Sequence, residues 1–120
     1  MGLYRRALLC SLLLLLCLVA LAAAKSIVGT WDCVTNTADG EMKWVLVVKE
    51  EGGKLSGTAT GDRGALDLID PRLDGDVFSF KADVDGVTYT VKLRLSGDRI
   101  SGTWSGNGDS GPMSGVRRGS

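Results

Sequence analysis

The 120-residue chain contains no histidine. That absence excludes Ser-His and Cys-His nucleophilic catalysis, histidine-ligated zinc, and any side chain that titrates near pH 7 without a perturbed environment. Cysteine is scarce as well. Cys10 and Cys17 lie in an apolar N-terminal run, so a processed chain would keep only Cys33 and could form no internal disulfide. Its fold must then rest on an apolar core. Lys/Arg and Asp/Glu number 14 each and are interspersed along the chain, with no basic cluster. Such a pattern gives no sequence-level footprint for nucleic acid or anionic lipid. Helical periodicity of useful length is also missing.

What is present begins with the leader. Arg5-Arg6 precede an apolar run from Ala7 to Leu21 that only Ser11 interrupts, and Ala22-Ala23-Ala24 follow. A basic head, a short apolar core and small residues form the pattern of a secretory signal peptide, with cleavage after Ala24. The run, about 15–18 residues, falls short of the roughly 20 that a spanning helix needs. The expected organisation is a signal peptide at 1–24 and one domain at 25–120, in a secreted or periplasmic protein with no membrane span after cleavage. Removing 24 of the 120 residues leaves 96, enough for one core and not for two. Without Arg5 and Arg6, twelve Lys/Arg face 14 Asp/Glu, a net charge near −2.

From Gly29 onward the hydrophobic period is two. Phe78, Phe80, Ala82 and Val84 alternate with polar residues, as do Val87, Tyr89, Val91, Leu93 and Leu95. This is the signature of strands with one face in a core and one in water. Asp85-Gly86 between them is a two-residue hairpin signal, because both positions favour positive φ. Asp39-Gly40, Gly52-Gly53, Gly97-Asp98 and Asn107-Gly108 mark further turns at spacings near ten residues. The expectation is an all-β, antiparallel up-and-down meander of about eight strands: 28–35, 41–50, 54–60, 64–69, 75–84, 87–96, 98–105 and 111–118. Asp70-Pro71 should end the fourth early. Met42, Trp44, Leu46 and Val48 should face inward on the second, which leaves Val45 and Val47 on its outer face.

One phrase recurs. Lys54-Leu55-Ser56-Gly57-Thr58 is matched by Arg99-Ile100-Ser101-Gly102-Thr103, and Gly29-Thr30-Trp31 is a shorter echo. Gly57 and Gly102 share inward parity with their apolar neighbours. A glycine there permits a strongly coiled strand, or the approach of a ring from across the core.

These phrases, with a closing Ser114-Gly115-Val116-Arg117, resemble a small β-meander domain of exported bacterial proteins, found alone or appended to secreted hydrolases. The resemblance covers nearly all of residues 25–120. Its motifs consist of turn glycines and core residues, so they specify a fold more than an activity. The Gly29-Thr30-Trp31 strand is also similar to the first strand of calycins, the lipocalin and avidin barrels. That resemblance implies a calycin-like barrel or half-open barrel, closed at one end by a pair in which a basic residue of the last strand covers Trp31. Arg117 or Arg118 would be that residue, and parity favours Arg117. The chain departs from the pattern in being shorter than a lipocalin and lacking its C-terminal helix, and the avidin ligand-binding residues are absent.

Other motifs carry less. Gly108-Asp109-Ser110-Gly111-Pro112 resembles the serine motif of trypsin-like proteases, but such a serine needs a base that this chain lacks. A glycine-rich hairpin loop accounts for it. Asp83-Val84-Asp85-Gly86 begins like a calcium loop, yet Val87 occupies the third ligand position, and no glutamate follows at the twelfth. Neither a metal nor a cofactor is expected, and neither is enzymatic activity. Cys33 shares parity with Trp31 and should be a buried small hydrophobe.

Eight strands enclose an interior just wide enough to fill with side chains or to hold one small ligand. The expected function is therefore non-catalytic binding of a small apolar molecule in the barrel mouth, with Trp44, Phe80, Tyr89 and Trp104 as candidate contacts. The alternative is a protein-interaction, accessory or inhibitor domain that meets another exported protein through its outer face or loops. No nucleic acid is expected as a partner.

Overall fold

Two-residue turns and alternating strands dictate the architecture. The computed structural model describes residues 27–119, so the expected signal peptide and its cleavage site lie outside the described residues. Nine strands follow in order: β1 (Gly29–Thr37), β2 (Gly40–Glu51), β3 (Lys54–Gly61), β4 (Gly64–Asp67), β5 (Ile69–Asp74), β6 (Val77–Val84), β7 (Val87–Ser96), β8 (Arg99–Gly106) and β9 (Asp109–Arg117). Every strand pair is antiparallel, in one sheet of order β4-β3-β2-β1-β9-β8-β7-β6-β5. Sequence neighbours pair except for β4 and β5, the two edges of the sheet, and the one pair distant in sequence is β1 with β9, where Trp31 lies opposite Arg117. The result is a nearly closed β-barrel.

The β6–β7 turn has Asp85 at φ 51° and Gly86 at φ 81°, the left-handed pair that lets a two-residue hairpin follow the natural strand twist. Asn107 and Gly108 do the same between β8 and β9, at 55° and 76°. Ser110 is therefore not in a loop, as its surroundings had suggested. It lies on β9, exposed, opposite Ser105.

The fourth strand also differs from expectation. It does not stop at residue 69 but resumes as β5, giving nine strands rather than eight. Between β4 and β5 the chain bends: Leu68 turns inward, and Asp70 takes φ 49°. The register of β5 on β6 then slips between Ile69 and Arg72. Pro71 sits inside that slip on an edge strand, one of the few places where a missing N–H costs no ladder bond. Its effect is to kink the strand and not to end it. Beyond the bend one backbone bond crosses the seam, from Leu68 N–H to the Gly57 carbonyl at 3.0 Å. Below it β3 and β5 diverge.

Inward parity fills the barrel. Trp31, Leu46, Val48, Phe78, Leu93 and Ile100 are fully or almost fully buried, with Phe80, Val91, Cys33 and Met113 close behind. Met42 does not join them, being 50% exposed, because it lies near the start of β2 at the rim. The two glycines of the repeated phrase have one explanation. A Cβ on Gly57 would come within 2.2 Å of the Val47 carbonyl oxygen, and one on Gly102 within 1.9 Å of that of Lys92. Each glycine lets its strand coil tightly against its neighbour's backbone, so the phrase marks strand curvature.

Candidate functional site at the open barrel end

The two ends of the barrel are built differently. At the end where β1 starts and β9 finishes, Ile27 is fully buried, and its carbonyl accepts a 3.0 Å hydrogen bond from Trp31 Nε1–H. The Arg117 guanidinium lies 4.3 Å from the Trp31 ring centroid. It donates to the Val28 carbonyl at 2.9 Å and to Asp98 Oδ1 at 3.0 Å. Arg118 points outward instead, paired with Asp32 at 2.6 Å. That hydrogen bond holds the Asp32 carboxyl below its ordinary value. Parity sets the difference: Arg117 is opposite inward-facing Trp31, and its neighbour must face out. Ile27 was not foreseen from the sequence, where Ile27-Val28 is a short apolar pair between the leader and the first strand.

Among the described residues the other end has no such plug. Trp44, Tyr89 and Trp104 are half-buried there, near exposed Met42. Tyr89 and Trp104 make an edge-to-face contact with centroids 5.9 Å apart, a favoured aromatic geometry. The indole N–H groups of Trp44 and Trp104 both reach the end of β1. One donates to Thr35 Oγ1 at 2.8 Å, the other to the Asn36 carbonyl at 3.3 Å. Their polar edges are thus satisfied by the wall. Glycines make room for the rings: a Cβ on Gly106 would meet Tyr89 Cδ1 at 2.6 Å, and one on Gly111 would meet Trp104 Nε1 at 2.7 Å.

Of the four candidate contacts, Phe80 falls outside this group. It is 3% exposed and packs beside Phe78 at a centroid distance of 5.6 Å. Phe80 pairs with Val91, one inward row deeper than the Ala82–Tyr89 pair, so parity was right and depth was wrong. Cys33 is 3% exposed, and burial pushes its thiol up to about 12, which keeps it protonated and unreactive at neutral pH. Among the described residues no group of three or more Cys, Asp or Glu is placed to hold a metal ion.

Two depressions lie elsewhere. A groove of about 770 Å³ follows the seam between β3 and β5, over Leu55, Pro71 and Leu73, with Glu50, Lys54 and Asp70 among its polar lining. A shallower one of about 370 Å³ lies on the outside of β6–β8.

No protein-family model and no curated protein matches the chain. Among solved structures it is similar to a redesigned β-barrel, with a TM-score of 0.63. The match covers 82% of this chain and 96% of that one at 15% identity. At such identity the likeness speaks for the fold alone: a small antiparallel β-barrel.

Proposed function

We propose that this protein is an exported, non-catalytic binding module that takes a small apolar, ring-bearing molecule onto the open barrel end. The observation that carries this reading is the asymmetry of the ends, one sealed by Ile27, Trp31 and Arg117, the other lined by part-exposed Trp44, Tyr89 and Trp104. Barrel mouths are recurrent small-ligand sites. With the barrel interior filled, the ligand rests against the mouth. Rings whose N–H groups are already bonded to the wall offer apolar surface at little further ordering cost. The calycin-like first strand and its Trp31–Arg117 pair fit a barrel that binds at one end.

The test is titration with the uncharged fluorophore N-phenyl-1-naphthylamine, followed by its emission. Trp44→Ala and Trp104→Ala should each weaken binding about tenfold, the loss of roughly 1.4 kcal/mol of stacking. Arg117→Lys, at the sealed end, should leave it unchanged. Equal binding by all four proteins would overturn the reading, as would no binding by the wild type.

A second reading, an interaction module for another exported protein, is favoured by one observation. Val45, Asp32 and Val116 lie side by side across β2, β1 and β9 on the outer face, and Val116 is 49% exposed. Val34 and Val47 lie in the adjoining rows, so four valines border the Asp32–Arg118 pair on this face.

A further inference from the structure

Strand pairing does to the charges what the linear sequence does not. Arg72, Lys81, Lys92 and Arg94 come from three strands, and all four are exposed. The register places Arg72 beside Ser79, Ser79 beside Lys92, and Lys92 beside Thr103, in one row across β5–β8. Lys81 faces Thr90 in the next row, and Arg94 lies between Val77 and Ser101 in the row on the other side. Strands about 4.8 Å apart and same-face residues about 7 Å apart put Lys92 at the centre, with the other three cations within roughly 10 Å. None stands directly opposite another, which would be destabilising. Ser79, Thr90, Ser101 and Thr103 occupy intervening places, with Val77 beside Arg94.

Their acid partners are few. Arg94 pairs with Asp76 at 3.8 Å, both side chains being more than half exposed. Arg72, Lys81 and Lys92 form no ion pair among the described residues. The nearby acids are Asp70 in the β5 slip, Asp74 and Asp76 at the β5–β6 turn, and Asp83 toward the β6–β7 turn, which accepts from Thr88 Oγ1 at 2.6 Å. In the middle of this face Arg72, Lys81 and Lys92 thus stand close together with their charges unpaired.

We propose that the outer face of β5–β8 binds a linear acidic polysaccharide. Four features select that class. The cations are interleaved with Ser79, Thr90 and Thr103, which can exchange hydrogen bonds with sugar hydroxyls. A glycan with one carboxylate or sulfate per sugar repeats its charge at a spacing close to one strand separation, about 4.8 Å, so every second charge matches Arg72 and Lys92, two strands apart in one row. The 370 Å³ depression falls within this face, with Lys92 and Arg94 on its rim and Val77 and Gly102 in its lining, so a pyranose can lay its C–H face on an apolar floor. No aromatic ring lies in these rows, which removes the stacking platform that single-stranded nucleic acids use. The site is separate from the barrel mouth and does not depend on it.

The experiment is affinity electrophoresis of the protein through gels containing polygalacturonate, dextran sulfate or neutral dextran. One or both acidic gels should retard it, and which one does so distinguishes carboxylate from sulfate. Rising salt should abolish the retardation. The Lys81→Gln/Lys92→Gln variant should lose affinity about tenfold. Lys43→Gln/Lys49→Gln on β2 carries the same change in net charge and should stay within about twofold. Both variants replace exposed side chains, and unchanged circular dichroism would show that they fold. Equal losses in the two variants would overturn the proposal, as would retardation by neutral dextran or absence of retardation in both acidic gels. Duplex DNA that competes as well as the glycan at equal charge would also overturn it. Binding of N-phenyl-1-naphthylamine should be the same in Lys81→Gln/Lys92→Gln as in wild type, so the two sites fail or stand separately.

Discussion

Replacing Arg117 by alanine should cost this barrel a large share of its stability. At least three contacts go at once. The guanidinium lies 4.3 Å from a Trp31 ring that is fully buried, with the arginine side chain itself only 25% exposed. A partly desolvated cation–π contact of that kind contributes about 1–2 kcal/mol. The charge-assisted bond to the Val28 carbonyl, at 2.9 Å, adds about 1–2 kcal/mol. Asp98 is 81% exposed, so its ion pair adds little. The loss comes to about 2–4 kcal/mol, which for a domain of this size lowers Tm by roughly 8–25 °C. Urea unfolding followed by far-UV circular dichroism measures it directly. Arg117→Lys keeps the charge but loses the planar fork, and should recover less than half of the loss. Arg118→Ala is the control, because its partner Asp32 and Arg118 itself are both more than half exposed, and it should unfold as wild type does. Equal stability of the Arg117→Ala and Arg118→Ala variants would refute the assignment of the closing contact. Full recovery by lysine would show that charge alone suffices there.

Other outcomes follow from the same packing. Gly102→Ala forces a Cβ onto the Lys92 carbonyl, where no side chain can yield, and should destabilise by about 2–4 kcal/mol in the same urea assay. Cys33 should be inert to Ellman's reagent in the native protein and react fully in denaturing guanidinium. Its buried thiol titrates at about 12 against an ordinary 9.0, so above pH 9 the unfolded chain loses this proton first. Stability should fall as pH rises from 9 to 12, and Cys33→Ala should remove that part of the slope.

The alternation on either side of Asp85-Gly86 made β6 and β7 legible from sequence, because a hairpin between two half-buried strands leaves both of its signals in consecutive residues. The fourth strand was not. Proline at 71 reads as a stop, and only the pairing of β5 with β6 shows that it falls at a register slip on an edge. Parity found Trp44, Tyr89 and Trp104, but parity gives a face and not a depth, so Phe80 was placed with them. Met42 erred in the opposite direction, at the rim end of a strand longer than its neighbour β1. Least legible was the cationic face. Lys81 and Lys92 are neighbours only after β6 and β7 pair, and Arg72 joins them only through Ser79.

The strand order has a consequence for how this chain assembles. Every ladder but one joins segments next to each other in sequence; the exception, β1 with β9, must bring together residues as far apart as Trp31 and Arg117. Two meanders, β1–β4 and β5–β9, can each zip from their own turns, and the docking of the first strand on the last carries the large loop-closure entropy. A circular permutant that joins β9 to β1 by a short linker and opens the chain at Leu68 makes all eight ladders local. Its new termini fall at the bend between β4 and β5, which share no ladder, so it should reach the same fold faster than the natural order of strands.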